Sequence, residues 1–176
     1  MADKPASLLM AHSDLFTPET GPILDLACGK GHNGLFLAKK ALPVTLCDFS
    51  AEDLNHAKSS AEQAGLKVKI WRVDLEKEGI NPLYENAYGA ILVFRYLHRP
   101  LIPCIKKALL RDGILIYETF TIGQAKFGKP SNPDYLLKTG ELKAWFREWH
   151  IMHYFEGILE NPQRAVAQIV CRKPVT

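Results

Sequence analysis

An acidic residue followed by a glycine-rich turn is the segment of this sequence best suited to chemistry. It reads L-D-L-A-C-G-K-G-H-N-G over residues 24–34, so Gly29, Gly31 and Gly34 satisfy the pattern G-x-G-x-x-G. Glycines in this pattern let a ligand approach the N-terminus of a helix. A pyrophosphate would meet Asp25 as like charge against like charge, whereas the ammonium and sulfonium of S-adenosylmethionine would be attracted by it. The segment therefore favours S-adenosylmethionine over a dinucleotide, with simple helix–strand packing of the turn as the alternative.

Two further acids follow predicted strands. Asp48 comes 19 residues after Gly29, where a carboxylate can accept hydrogen bonds from both hydroxyls of a ribose. Its alternative role is that of an acid at a helix start beside Ser50. Asp74 can accept from an adenine amino group while Leu75 offers its backbone N–H to the ring, although many loop aspartates only form turns. Since the carboxyl ends of parallel strands meet at one edge of a sheet, the three acids are expected to lie together.

Alternating strands and helices must position these residues. Strands are predicted at 22–26, 44–47, 67–73, 89–94 and 114–120, and a closing hairpin at 150–159 and 165–172. Helices are expected to end at Lys40, at Gly65 after a capping box of Ser50 and Asp53, and near Gly113. A short helix is predicted at 141–147. This order predicts an α/β fold with a doubly wound, mostly parallel sheet, an antiparallel hairpin strand at one edge, and one domain over residues 1–176.

Composition excludes several classes of protein. The 176 residues carry 22 Lys and Arg against 19 Asp and Glu, which is not the basic excess of a dedicated nucleic-acid-binding module. The longest apolar run, 90–94, is far below the roughly 18 residues of a membrane helix. Residues 1–5 do not begin a signal peptide, so a cytoplasmic protein is expected. The four cysteines are widely spaced, which predicts reduced, mostly buried thiols and no metal site.

The same segments resemble the class I S-adenosylmethionine-dependent methyltransferases along nearly the whole chain. Residues 24–31 are similar to the first motif of that family, C-D-F-S (47–50) to the second and V-D-L (73–75) to the third. A-I-L-V-F-R-Y-L-H (90–98) and R-D-G-I-L-I-Y-E-T-F (111–120) are similar to its fourth- and fifth-strand motifs. Within the family, small bacterial members related to tellurite-resistance and thiopurine-type methyltransferases are the most similar. Lys30 and His32 depart from the pattern by adding positive charge to the turn.

This resemblance implies a Rossmann-like sheet of seven strands in which the last strand is inserted antiparallel. It also implies S-adenosyl-L-methionine as cofactor and S-adenosyl-L-homocysteine as product. Carried over onto this sequence, the cofactor-binding residues are Asp25, Cys28, Gly29, Gly31, Asp48, Phe49, Asp74, Leu75 and Arg95.

Basic and aromatic residues near the predicted strand ends are candidates for the acceptor side. Arg95, His98 and Arg99 cluster at the exit of the fourth strand, next to the expected position of the methyl group. The catalytic candidates are His98, Arg95 and Glu118. The substrate candidates are Tyr96, Arg99, Tyr117, Phe127 and Tyr135, the last two on a long loop (121–139) interpreted as a lid, with residues 6–16 as a second wall. The alternative is that Arg95 snorkels, His98 caps a helix and Arg99 is solvated.

Two short motifs are similar to signatures of nucleic-acid methyltransferases and offer alternative interpretations. Residues 132–135, N-P-D-Y, are similar to the N-P-P-Y signature of nucleic-acid amino methyltransferases, but they follow the fifth strand and lack the second proline, which indicates a turn. Pro103-Cys104 is similar to the nucleophile dipeptide of cytosine C5 methyltransferases. Since Cys104 lies beside Leu101 and Ile105 on an apolar helix face, a buried and inert thiol is expected.

The predicted function is methyl transfer from S-adenosylmethionine to a small-molecule acceptor by in-line displacement. The expected partner is that acceptor, with no membrane, no nucleic acid as the first expectation, and a monomer or homodimer. An RNA or protein methyltransferase is the main alternative. A nicotinamide-dependent oxidoreductase is disfavoured because 176 residues leave no room for a separate substrate domain. A catalytically idle binding domain stays open, since a fold and a cofactor motif do not prove turnover.

Overall fold

The central element of the fold is a seven-stranded sheet. The computed structural model describes residues 4–176 of the chain. Residues 1–3, which belong to the predicted domain and to the segment tested for a signal peptide, lie outside it. The strands are β1 (Ile23–Leu26), β2 (Val44–Asp48), β3 (Val68–Arg72), β4 (Tyr88–Phe94), β5 (Leu109–Phe120), β6 (His150–Leu159) and β7 (Arg164–Arg172). Their order in the sheet is β3-β2-β1-β4-β5-β7-β6.

Strands β1 to β5 are parallel to one another, and β7 is antiparallel to both of its neighbours. The prediction of a mostly parallel α/β sheet with an antiparallel hairpin strand is therefore confirmed. The expectation that this strand lies at an edge is wrong, because β7 is inserted between β5 and β6, as the family resemblance implied. Residues Ala165 to Cys171 are all buried, which requires neighbours on both sides and cover on both faces.

Helices cover both faces of the sheet. They are α1 (Ser7–Ala11), α2 (His32–Ala38), α3 (Ala51–Gln63), α4 (Ile102–Ala108) and α5 (Glu141–Trp145). The apolar side chains of α1, α2 and α3 pack on one face, in a core with Leu46 and Leu92. Those of α4 and α5 pack on the other face, in a core with Val93 and Tyr117. Within residues 4–176 no helix is long and apolar enough to cross a membrane.

The predicted end of one helix was wrong. The helix expected to end near Gly113 ends at Ala108, because Leu109 already pairs with Tyr88 and the register of β5 then shifts before Ala90 pairs with Ile114. On β3, Ile70 is 37% exposed while Trp71 packs on the core. Because β3 is an edge strand, alternation alone did not show which of its faces the core covers.

Candidate active site

The glycine turn joins β1 to α2 by a close approach of backbone to side chains. Gly31 has φ +76°, and a Cβ there would lie 3.0 Å from a methyl carbon of Leu46 and 3.1 Å from the Cβ of Ala57. A Cβ on Gly34 would lie 2.3 Å from a Leu46 methyl carbon. Glycine is therefore required at Gly31 by backbone and space together, and at Gly34 by space.

Asp25 is buried behind this turn, with 2% of its surface exposed. Its Oδ2 accepts the Gly34 N–H at 2.7 Å, so the carboxylate fastens the first turn of α2 to β1. Burial raises the pKa of Asp25 to about 7, against the lowering effect of that hydrogen bond and with a smaller contribution from the charge of Asp48. Asp25 was predicted to lie against the cofactor. In the structure it lies beneath the turn and does not line the cavity at the adjacent strand ends.

A cavity of about 530 Å³ opens at the carboxyl ends of β1, β2, β3 and β4. We call it the strand-end cavity. Residues at or just after the ends of these four strands form its walls, so the connections that leave four separate strands converge on one space. The lining residues are Ala27, Gly29, Asp48, Phe49, Asp74, Leu75, Glu76, Arg95 and Tyr96.

Asp48 ties the glycine turn to the start of α3. Its Oδ2 accepts the Gly29 N–H at 2.8 Å and its Oδ1 accepts the Ser50 N–H at 2.9 Å. Ser50 Oγ accepts the Asp53 N–H at 3.2 Å, so only half of the predicted capping box forms, the Ser50 N–H being taken by Asp48. A carboxylate offers about four acceptor positions, which leaves two on Asp48 for a ligand. Phe49 beside it is 64% exposed and supplies an apolar wall.

The opposite wall comes from the residues after β3 and β4. Asp74 Oδ1 accepts the Glu76 N–H at 2.9 Å, and Leu75 is buried between them. The Tyr96 hydroxyl donates to Glu76 Oε1 at 3.2 Å and so links the two connections. Burial, reinforced by Glu76, raises the pKa of Tyr96, which keeps this hydroxyl a donor. Arg95 is exposed, lines the cavity and adopts φ +56°, while its N–H donates to the Glu118 carbonyl at 2.8 Å.

Several residues predicted on the acceptor side instead have partners inside the protein. Tyr117 is 1% exposed, and its hydroxyl donates to the Tyr96 carbonyl at 2.9 Å. Glu118 is 4% exposed, and its Oε2 accepts the amide of Gln168 at 2.6 Å. Neither side chain lines the strand-end cavity within the described part of the chain. Both side chains are therefore enclosed by other parts of the protein and lie outside the cavity wall.

Arg99 holds the long loop to the body of the protein. Its guanidinium donates to both carboxylate oxygens of Glu141, at 2.7 and 2.9 Å, and to the carbonyls of Asp134 and Leu136, each at 2.9 Å. Burial alone would raise the pKa of Glu141, but Arg99 and the Lys138 N–H outweigh it and the pKa is lowered. Arg99 was predicted to contact substrate or to be solvated, and in the structure its guanidinium is engaged by Glu141 and by two backbone carbonyls.

The loop at 121–139 contains two 3₁₀ helices, Ile122–Lys126 and Pro133–Tyr135. The second confirms that N-P-D-Y forms a local turn, because Asn132 Oδ1 accepts the Asp134 N–H at 3.0 Å. Phe127 is half-buried and Tyr135 is 53% exposed, and within residues 4–176 neither lines the strand-end cavity. Together with the Arg99 contacts, this places the loop beside the site as a fastened segment.

His98 lies in a neighbouring cavity of about 550 Å³, which we call the His98 cavity. Residues 75–82 line it together with His98, Pro100, Leu101 and Cys104, so it shares Leu75 and Glu76 with the strand-end cavity. His98 precedes the 3₁₀ helix Arg99–Leu101 but makes no side-chain cap to it. Cys104 is half-buried at this cavity, which corrects the expectation of a buried thiol.

Cys28 is half-buried in the glycine turn, where its thiol donates to the Gly29 carbonyl at 3.4 Å and burial raises its pKa. It packs with the α1–α3 core and does not line the strand-end cavity. Two lining residues were missed by the sequence argument, Ala27 and Glu76. Only their position in the sequence could have indicated them, since Ala27 and Glu76 each lie two residues after a predicted site residue, Asp25 and Asp74.

The chain is similar in sequence to known proteins along most of its length. A family model described as a methyltransferase domain matches residues 23–111. The probable S-adenosyl-L-methionine-dependent methyltransferase TehB of Haemophilus influenzae is 24% identical over 143 residues, which cover 78% of this chain and 49% of TehB. Hemagglutinin 1 of Eikenella corrodens is 25% identical over 138 residues, covering 77% of this chain and 46% of that protein. The chain spans about half the length of these curated relatives.

Solved structures show the same fold. The crystal structure of Haemophilus influenzae TehB aligns with a TM-score of 0.77 at 21% identity, covering 94% of this chain and 61% of that one. A structure of an S-adenosylmethionine-dependent methyltransferase from Methanosarcina mazei aligns with a TM-score of 0.72 at 15% identity, covering 99% and 100%. The matched family segment contains the glycine turn and the four strands around the strand-end cavity, and it makes up half of the chain. The chain belongs to the class I S-adenosylmethionine-dependent methyltransferases, and it shares its fold with TehB of Haemophilus influenzae.

Proposed function

We propose that this chain binds S-adenosylmethionine in the strand-end cavity and transfers its methyl group to a small-molecule acceptor. The observation that carries the proposal is Asp48, whose carboxylate reaches the cavity from the end of β2 with acceptor positions left after its two backbone hydrogen bonds. Vicinal ribose hydroxyls are the donors that suit such a carboxylate. Family membership independently supports the cofactor.

The other walls of the cavity suit the rest of an adenosyl group. Asp74 can accept from the adenine amino group, the Leu75 N–H can donate to the ring, and Phe49 offers an apolar surface to it. Gly29 lies where an added Cβ would have nothing within 4 Å, so the turn presents bare backbone to the cavity. Gly31 gives the turn its shape. Asp25 and Cys28 support the turn from behind, and their part in binding is through its position.

When bound, S-adenosylmethionine supplies a methyl group on a sulfonium, which an acceptor atom attacks in line, leaving S-adenosylhomocysteine. For an acceptor that is already nucleophilic, such as a thiolate, the chain has to hold and align it, and alignment supplies most of the rate. Arg95 and Tyr96 are the acceptor-side residues that reach the strand-end cavity. We assign them to this task and, since they form part of the same cavity wall, to contact with the cofactor.

A less acidic acceptor needs a base, and His98 and Glu118 are the candidates. His98 belongs to a cavity that shares a wall with the cofactor site, whereas Glu118 is enclosed beside Gln168. Product formation by His98→Ala at saturating cofactor separates the two. A wild-type rate would exclude His98 as the base.

Replacement of Asp48 tests the cofactor site. Isothermal titration of Asp48→Ala with S-adenosylmethionine is expected to give a Kd at least about tenfold above wild type, since hydrogen bonds to a charged group are lost. Glu160→Ala, which removes an exposed acid in the β6–β7 turn, is the matched control and is expected to leave Kd within about twofold. Unchanged affinity in folded Asp48→Ala would remove Asp48 from the ribose site.

A further inference from the structure

A buried tyrosine on β5 contacts the wall of the strand-end cavity from behind. Tyr117 is 1% exposed, and its hydroxyl donates to the backbone carbonyl of Tyr96 at 2.9 Å. Burial raises the pKa of Tyr117, so the hydroxyl keeps its proton and remains a donor. Its ring packs in the core with Val93. Its hydroxyl reaches the connection after β4, which contains the cavity-lining residues Arg95 and Tyr96.

That connection has an unfavourable backbone conformation. Arg95 has φ +56°, in the left-handed region that a residue with a side chain seldom adopts. Such conformations persist only where surrounding contacts enforce them, and they concentrate at functional sites. The enforcing contacts here come from two consecutive residues of β5. The Glu118 carbonyl accepts the Arg95 N–H at 2.8 Å, and the Tyr117 hydroxyl holds the next residue, Tyr96, by its carbonyl.

A third contact holds the same connection from the side of the cavity. The Tyr96 hydroxyl donates to Glu76 at 3.2 Å. Tyr96 is therefore held at its backbone carbonyl by Tyr117 and at its side chain by Glu76. Arg95 and Tyr96 both line the cavity. This wall is therefore held from behind by the Tyr117 hydroxyl and from the side by Glu76.

We propose that Tyr117 is a positioning residue for cofactor binding, whose hydroxyl holds the Arg95–Tyr96 connection in the shape that completes the strand-end cavity. The inference rests on the proposed function. Without the hydroxyl, the Tyr96 carbonyl loses its partner, the left-handed conformation of Arg95 relaxes, and both side chains leave the cavity wall. Tyr117 then acts through Tyr96 and touches neither cofactor nor acceptor, a role that differs from its prediction as a substrate residue.

The test is the variant Tyr117→Phe, which removes the hydroxyl and keeps the ring. Titration with S-adenosylmethionine, at a temperature where the variant is folded, is expected to give a Kd about fivefold above wild type, as for one lost hydrogen bond. Hydrogen exchange of the backbone amides at 94–97 is expected to become faster. Tyr88→Phe is the matched control, because Tyr88 is a buried tyrosine at the far end of the neighbouring strand β4, and it is expected to change neither quantity.

The possible outcomes separate this inference from the proposed function. If wild type does not bind S-adenosylmethionine, the proposed function fails and the inference falls with it. If wild type binds and Tyr117→Phe binds equally well with unchanged exchange at 94–97, the inference alone is overturned. Tyr96→Phe provides a second variant should Tyr117→Phe not fold. It removes only the bond to Glu76 and is expected to raise Kd about two- to threefold, and an unchanged Kd would contradict the role of this connection.

Discussion

The ends of β1 to β4 and the region from β5 to α5 differ in what their polar side chains do. At the ends of β2 and β3, Asp48 and Asp74 accept only backbone N–H groups and still line the cavity. In the second region, Arg99 and Glu118 are bound to side chains 42 and 50 residues away. The comparison teaches that side chains bound only to backbone N–H groups keep acceptor positions open towards the cavity, whereas side chains paired with other side chains of distant segments hold the fold together.

Removal of Arg99 should give the largest effect, and on stability alone. Arg99→Ala leaves Glu141 and two carbonyls without their donor, so we expect a loss of about 2–4 kcal/mol of unfolding free energy. The lower part of that range applies if water replaces the guanidinium, since a third of the Arg99 side chain is exposed. Urea unfolding measures the loss, and titration of the folded variant should give the wild-type Kd for S-adenosylmethionine.

Arg147→Ala serves as the control for Arg99→Ala, because Arg147 is an exposed arginine just after α5 and its loss should cost less than about 0.5 kcal/mol. A stable Arg99→Ala variant with weakened ligand binding would reverse the assignment. Arg99 would then serve the ligand, and the distinction between the two regions would not hold.

Asp25 gives a smaller effect, visible as a pH dependence. Burial raises its pKa from 3.8 to about 7, so between about pH 4 and pH 7 the folded chain keeps a proton that the unfolded chain releases. The unfolding free energy of wild type should therefore fall as pH rises through this window and level off above it. Asp25→Asn keeps an acceptor for the Gly34 N–H and lacks the titration. Its stability relative to wild type should rise by at most about 1.4 kcal/mol per pH unit.

Urea unfolding of both proteins at pH 4, 5, 6, 7 and 8 measures this difference. Asp14→Asn, at an exposed acid, should run parallel to wild type. A constant difference in unfolding free energy between Asp25→Asn and wild type would contradict the raised pKa, because it would mean that Asp25 is ionised over the whole range from pH 4 to pH 8.

Most of the fold could be predicted from the sequence, and so could the part of the candidate site that lies at the strand ends. Strand ends can be located within a residue or two, so Asp48, Asp74 and Arg95 were found from spacing, and the alternation of strands and helices predicted the sheet. The partners of Arg99 and Tyr117 could not be found this way. Glu141 is 42 residues from Arg99, and the Tyr96 carbonyl is 21 residues from Tyr117, distances over which only tertiary packing decides contact.

Thermal unfolding of wild type with S-adenosylmethionine, S-adenosylhomocysteine and NADH, each added separately, tests the central claim most directly. A ligand at a hundredfold its Kd adds about 2.7 kcal/mol, which corresponds to a rise of about 5–10 °C in Tm for a domain of this size. We expect that rise with the two sulfur nucleosides and none with NADH. A rise with NADH alone would contradict the assignment of the strand-end cavity to S-adenosylmethionine.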